Sequence, residues 1–164
     1  MACLGVHFAL NNEQYKKLLS AKSDSELISI LHEEIEEEWD TEWLHQTDKA
    51  WDAIHRSLTD GKLEWNNGTF PLNAVIMGGK RIHQGEDYIV TILTPEQVVE
   101  TAVALKKIDE MAFKQGYENI AQEDYGGEKG QDDFEYTWAW FQGLPNLFDK
   151  AARAGRAVLF SADQ

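Results

Sequence analysis

The chain has 164 residues, 43% of them hydrophobic, and its 29 acidic residues against 15 basic ones give a net charge of -14. This length fits one domain, so we expect a single unit over residues 1–164, with enough apolar residues for a core. The acidic excess argues against a nucleic-acid or anionic-membrane surface, because both need clustered Lys and Arg. It is compatible with solubility alone, with a cation or with a basic protein partner.

The cysteine content predicts the compartment. Cys3 is the single cysteine and cannot form an internal disulfide, which is typical of a protein in the reducing cytoplasm. The first residues lack a basic leader and a long apolar stretch, and no apolar run approaches the roughly 20 residues that cross a bilayer. We therefore expect a cytoplasmic protein without a membrane segment.

The first half of the chain predicts one strand and three helices. Apolar alternation at residues 6–10 predicts the strand, and Asn11 caps a short helix after it. Ser23 opens the second helix, with Glu26 completing a capping box. A third helix is predicted to begin near Thr47-Asp48, where the carboxylate suits the helix dipole, and to end at Asp60-Gly61.

Each of these helices is expected to bury one stripe of apolar residues. The expected stripes are Tyr15, Leu18 and Leu19 in the first helix, Ile28, Leu31, Ile35 and Trp39 in the second, and Trp51, Ile54 and Leu58 in the third.

The second half begins with the clearest strand, residues 87–93, which is apolar on both faces and is therefore expected inside a covered sheet. Thr94-Pro95-Glu96-Gln97 follows it and is the strongest helix start in the chain, combining an N-cap, a proline in the first turn and a capping box. The acidic, glycine-containing residues 117–133 predict a short helix and then an exposed loop.

Apolar residues then continue at helical spacing from Phe134 to Phe148, through Pro145. Because proline disrupts a helix interior, this segment is either one kinked helix or two helices broken near Gly143. Residues 156–160 predict a final strand after Gly155. The whole pattern indicates an α+β fold, with a small mixed sheet of three to four strands, including the N- and C-terminal strands, covered by helices.

Five segments follow one another in a characteristic order: Leu4-Gly5, residues 48–55, residues 71–79, residues 93–98 and residues 148–160. In this order and spacing they resemble the YfbM-like family of small bacterial proteins, domain of unknown function 1877. The resemblance spans nearly the whole chain and implies a stand-alone bacterial α+β fold. It implies no activity and no site residues.

The helix predicted around residues 48–55 carries the best candidate for a catalytic site. Trp51 and His55 are four residues apart and share a face, and Asp52 lies on the adjoining edge. A carboxylate beside an imidazole orients a general base or a metal ligand. With Asp48 in support, these residues suggest a small-molecule or metal-dependent enzyme. The structural alternative is that His55 packs beside Trp51 and bonds a backbone carbonyl.

Metal and cofactor motifs are weak. His32 and Glu36 have helical spacing, but a zinc site needs a second His or Cys at a defined spacing, and none follows here. The glutamates at residues 33–38 therefore predict a solvated helix face. Gly78-Gly79-Lys80-Arg81 lacks the remainder of a phosphate-binding loop and predicts a turn. We expect no metal and no cofactor.

The six tryptophans are more than a chain of this length usually carries. Trp138 and Trp140 cannot share one helix face, so at least one is expected outside the core, where it suits a protein or ligand contact. The residues favour a non-enzymatic module that binds a basic protein through Trp51, Asp48 and Trp140, with an immunity- or antitoxin-like inhibitor as one form. The enzyme around Trp51, Asp52 and His55 is the alternative.

Overall fold

A computed structural model describes residues 3–163. Within them the five strands are β1 (Gly5–Leu10), β2 (Leu44–Asp48), β3 (Lys80–Arg81), β4 (Tyr88–Leu93) and β5 (Ala157–Asp163). The α-helices are α1 (Asn12–Ser20), α2 (Asp24–Ile30), α3 (Trp51–Leu58), α4 (Pro95–Leu105), α5 (Glu110–Glu118), α6 (Gln131–Phe141) and α7 (Leu144–Arg153). A π-helix continues α2 over Leu31–Glu36, and short 3₁₀ turns lie at Leu72–Ala74 and Gln122–Asp124.

The strands form one open antiparallel sheet in the order β2-β1-β5-β4-β3. The central strand β5 pairs with β1 on one side and with β4 on the other. The α+β class is confirmed. The sheet has five strands rather than three or four, however, and it is antiparallel rather than mixed. The expectation was wrong because β3 has only two residues and because β2 occupies a stretch in which a helix start was predicted.

Both faces of the sheet are covered, each by its own apolar core. Ile89 and Leu93 of β4 contribute to a core shared with α3 to α7, whereas Val90 and Ile92 contribute to one shared with α1, α2 and the π-helix. Burial of such a side chain stabilises the fold by about 1.5–3 kcal/mol. The prediction that this strand is covered on both faces is confirmed. No helix within residues 3–163 is long and apolar enough to span a membrane.

The helix caps follow the local sequence. Asn11 and Thr94 form complete capping boxes with Gln14 and Gln97, as predicted. Ser23 also caps its helix, but the box predicted there is only half formed, because the Glu26 carboxylate accepts from the backbone N–H of Lys22 instead.

Two side chains predicted in buried stripes lie outside. Leu19 is 45% exposed, because α1 buries only Leu18 fully. Trp39 is 38% exposed, because the regular helix ends at Ile30 and the π-helix ends three residues before Trp39. Leu31 and Ile35 are buried as predicted.

The helix predicted from Thr47-Asp48 begins later, at Trp51. Thr47 and Asp48 instead end β2, where Asp48 is paired with Gly5 of β1. Asp48 has a φ of 50°, a left-handed conformation that Asp tolerates better than most residues, and this reverses the chain from strand into helix. Pairing with β1 therefore determines the conformation of Asp48, although this residue is also typical of a helix start.

The apolar stretch through Pro145 forms two helices, not one kinked helix. α6 ends at Phe141, and α7 begins at Leu144 with Pro145 in its first turn, where no N–H is needed. Gly143 lies in the break, and a Cβ there would collide with the imidazole of His45. The predicted helix and loop at residues 117–133 are displaced, since α5 ends at Glu118 and α6 already begins at Gln131.

Candidate functional site

His55, the centre of the predicted catalytic site, lies inside the protein with 1% of its surface exposed. Its Nε2–H donates to Oδ1 of Asn67 at 2.8 Å. Burial lowers the pKa of His55 and the bond to Asn67 opposes this shift, so the imidazole stays neutral in the folded protein at neutral pH. The Asn67 amide donates in turn to the Asp60 carboxylate and to the Lys62 carbonyl. His55 therefore anchors the loop that follows α3.

Asp52 does not pair with His55. Its Oδ1 lies 2.5 Å from Nε of Arg56, which also donates to the carbonyls of Gly61 and Asp124. The three residues of the predicted catalytic group thus lie on one helix, but Asp52 and His55 have separate partners.

Trp51 is also inside, and its Nε1–H donates to the Cys3 carbonyl at 2.8 Å. The other two predicted partner-binding residues are brought together at the surface by Tyr136. The Tyr136 hydroxyl donates to Oδ1 of Asp48 at 2.7 Å, and its ring meets the Trp140 ring edge-on at 6.4 Å. Burial and the bond to Asp48 raise the pKa of Tyr136 to about 12. We call Asp48, Tyr136 and Trp140 the tyrosine patch.

The most charged surface is residues 33–42, which we call the acidic segment. It contains seven carboxylates and no basic residue, half of the net charge of the chain. Lys17 pairs with Glu34, and Lys150 lies 3.5 Å from Glu42. Within the described part of the chain, four carboxylates of the segment have no basic side chain within 4 Å: Glu33, Glu37, Glu38 and Asp40.

Trp39 lies in the middle of the acidic segment and is its exposed aromatic residue. Its backbone has a φ of 44°, a conformation that costs a bulky residue about 1–2 kcal/mol. The indole packs nearly perpendicular to the ring of Phe8 of β1, with the ring centroids 5.9 Å apart. The helical periodicity of the segment led to the prediction that Trp39 belongs to a buried stripe, which is wrong. The carboxylates on both sides of it, at 36–38 and 40, were the signal that could have placed it at the surface.

We expect Trp39→Gly to be more stable than Trp39→Ala by about 1 kcal/mol. Both substitutions remove the indole, but only glycine adopts the left-handed backbone without a steric cost. Urea unfolding followed by circular dichroism measures the difference. Equal stability of the two variants, or a more stable alanine variant, would show that the backbone at residue 39 is not strained.

The π-helix attaches the acidic segment to the sheet through Tyr88 of β4. The Tyr88 hydroxyl donates to Oε1 of Glu36 at 3.1 Å, and Nε2 of His32 lies 3.4 Å from the other oxygen of Glu36. Burial raises the pKa of Glu36 and of Tyr88. In residues 3–163, no group of three His, Cys, Asp or Glu side chains is arranged to hold a metal ion.

Comparisons with known proteins identify the fold and give no activity. A family model described as a domain of unknown function, DUF1877, matches residues 1–161. The crystal structure of YfbM from Escherichia coli, described as a protein of unknown function, matches with a TM-score of 0.69 and 17% identity. The match covers 97% of this chain and 99% of that one, and at this identity it shows the fold alone. No curated protein matches the chain.

Proposed function

Because the chain belongs to the DUF1877 family, whose description gives no activity, we propose a function from its surface: a non-enzymatic module that binds a basic protein through the acidic segment. The observation that carries the proposal is the exposed Trp39, which lies in a segment where, within residues 3–163, four of seven carboxylates have no basic side chain within 4 Å. Tryptophan is the residue most enriched among the anchors of protein interfaces. The surrounding carboxylates supply the charge that a basic partner complements.

The electrostatics favour capture of a cationic partner. With a net charge of -14, the protein repels anions at long range and attracts basic proteins, which raises the rate of their encounter. Glu33, Glu37, Glu38 and Asp40 add to the local negative potential. Because these four carboxylates form no ion pair with the rest of residues 3–163, a partner that binds them there breaks no salt bridge. Such an interface weakens as the salt concentration rises.

The tyrosine patch is within reach of the same partner. β2 begins just after the acidic segment and ends at Asp48, so its five residues separate the two surfaces by about 15 Å. A standard interface of roughly 800 Å² per partner covers such a distance. Asp48 and Trp140 therefore contribute to the rim of the proposed interface, whereas Trp51 supports it from inside.

One concrete form of this function is an immunity- or antitoxin-like inhibitor, in which the acidic surface covers a basic enzyme. The alternative enzyme centred on Trp51, Asp52 and His55 receives no support from the geometry, because His55 is enclosed and hydrogen-bonded to Asn67.

The experiment compares three proteins of known charge. The segment variant replaces Glu33, Glu37, Glu38 and Asp40 by their amides. The matched control replaces four exposed carboxylates elsewhere by glutamine, at Glu96, Glu100, Glu118 and Glu123. Each variant and the wild type, immobilised, is exposed to extract of the native host at about 50 mM and about 300 mM salt, after circular dichroism has confirmed that it is folded.

We expect the wild type and the control to retain one basic protein. The segment variant should retain an amount of it that is smaller by about tenfold or more. That protein, purified, should bind the wild type with a Kd that rises with salt, and Trp39→Ala should weaken it by about tenfold or more. If no protein distinguishes the segment variant from the control, or if both variants lose it equally, the acidic segment is not the binding surface.

A further inference from the structure

A cleft of about 250 Å³ lies beside α3, and no residue of the acidic segment lines it. Its floor is made of side chains that belong to the main core: Trp51, Met77 and Ile89. Trp65 and Arg81 form part of its wall, and Glu86 lies at its exposed rim. The cleft therefore brings aromatic and aliphatic side chains together with one positive and one negative charge, a combination that can orient a small molecule.

Arg81 is held rigidly in this wall. Its guanidinium carbon lies 4.2 Å from the centre of the Trp65 ring, so the two groups are stacked. Its Nε donates to the His83 carbonyl at 3.0 Å, and its Nη2 donates to the Gln84 carbonyl at 3.1 Å. The remaining nitrogen, Nη1, takes part in neither bond. Because these contacts fix the side chain before any ligand arrives, little conformational entropy is lost on binding.

The charge of Arg81 is not compensated by an acidic side chain. Arg56 is paired with Asp52 and Arg153 with Asp149, whereas in residues 3–163 no carboxylate lies within 4 Å of Arg81 or of Arg156. Arg81 bonds the carbonyls of residues 83–85 and lines the cleft, so its positive charge is available to an external anion there.

We propose that this cleft binds a small planar aromatic carboxylate. The aromatic ring lies over Trp51, Met77 and Ile89, and the carboxylate accepts from Nη1 of Arg81. The volume admits one or two fused rings and excludes a dinucleotide. Glu86 at the rim disfavours a second negative charge on the ligand, so the cleft prefers a monoanion. This site uses none of the residues of the acidic segment, and it stands whether or not that segment binds a protein.

The test uses three probes with the same ring and different charges: 2-naphthoate, 2-naphthol and 2-naphthylmethylamine. Their binding is followed by the six indole N–H signals in a ¹H–¹⁵N NMR spectrum, each assigned by one Trp→Phe substitution. We expect 2-naphthoate to shift the signals of Trp51 and Trp65 and to leave those of Trp138 and Trp140 in place. It should bind about tenfold more tightly than 2-naphthol, and the amine should bind most weakly.

Three substitutions test the role of charge. Arg81→Met should abolish the preference for 2-naphthoate over 2-naphthol, whereas Arg153→Met, a matched loss of charge on an exposed face of α7, should leave it unchanged. Glu86→Gln should raise the affinity for 2-naphthoate about threefold. Because Glu86 is exposed, this variant decides the question even if Arg81→Met fails to fold. Absence of shifts at Trp51 and Trp65, equal affinity for the three probes, or an unchanged affinity in Glu86→Gln overturns the proposal.

Discussion

Replacing Gly116 by alanine is expected to lower the free energy of unfolding by about 3 kcal/mol or to prevent folding. Gly116 is in α5 at the point where this helix crosses α3 most closely. A Cβ at Gly116 would collide with the carbonyl oxygen of Ser57 and would lie 2.9 Å from its carbonyl carbon. Both partners of this contact are helix backbone, so neither yields without separating α3 from α5.

The sign of the change in the free energy of unfolding shows whether packing or helix propensity dominates at Gly116. In an exposed helix, alanine is more stable than glycine by about 1 kcal/mol, so propensity alone predicts the opposite result. Urea unfolding of the wild type, Gly116→Ala and Gly126→Ala measures the difference. Within residues 3–163, a methyl group at Gly126 would meet no atom within 4 Å beyond its chain neighbours, and this substitution should change stability by less than about 0.5 kcal/mol. A Gly116→Ala protein as stable as the wild type would show that α3 and α5 are not packed this closely.

The second large effect concerns His7, which is completely buried in β1. Its Nε2–H donates to the Val75 carbonyl at 2.6 Å, and its ring packs between those of Phe148 and Phe160. Burial lowers the pKa of His7 to about 3, and the nearby His45 adds to this shift, while the bond to Val75 opposes it. The folded protein therefore holds His7 neutral, whereas the unfolded chain binds a proton near pH 6.5.

Stability should consequently fall as the pH drops from about 6.5 towards 3, because the unfolded state then binds more protons than the folded state. Between pH 7 and pH 5 the loss from His7 is about 2 kcal/mol. Urea unfolding at both pH values, for the wild type and for His7→Gln, isolates this contribution, since every other titrating group is common to both proteins. An identical pH dependence in the two proteins would contradict a neutral, buried His7.

Features set by neighbouring residues were predictable from the sequence. The caps at Asn11 and Thr94 and the two-sided strand β4 depend on local hydrogen bonds or on a short apolar pattern, and the structure confirms them. The C-terminal strand is also confirmed, although it extends to Asp163.

β2 could not be predicted in the same way. Its residues show little alternation, and its strand conformation depends on pairing with β1, where Leu44 is opposite Phe8. The π-helix was not predicted either, and the hydrogen bond that joins its Glu36 to Tyr88 of β4 links residues 52 positions apart.

In the candidate sites, too, single residues could be predicted from the sequence, whereas their contacts with distant residues could not. Asp48 and Trp140 were predicted from charge and helix geometry, but their common neighbour Tyr136 is 88 residues from Asp48, and only the fold brings the patch together. Trp39 was assigned to a buried stripe because the periodicity of α2 does not reveal where the helix ends. Arg81 was recognised as a basic residue after a glycine pair, whereas its stacking on Trp65 is a tertiary contact.

The position of β5 has a consequence for how the protein is made. The pairs β1–β2 and β3–β4 precede β5 in the chain, and they share no hydrogen-bonded ladder until β5 inserts between β1 and β4. During synthesis from the N-terminus, both strand pairs leave the ribosome with an open edge of unpaired backbone groups. A chaperone that shields strand edges should therefore bind nascent chains that stop before Ala157 and release those that extend through Asp163.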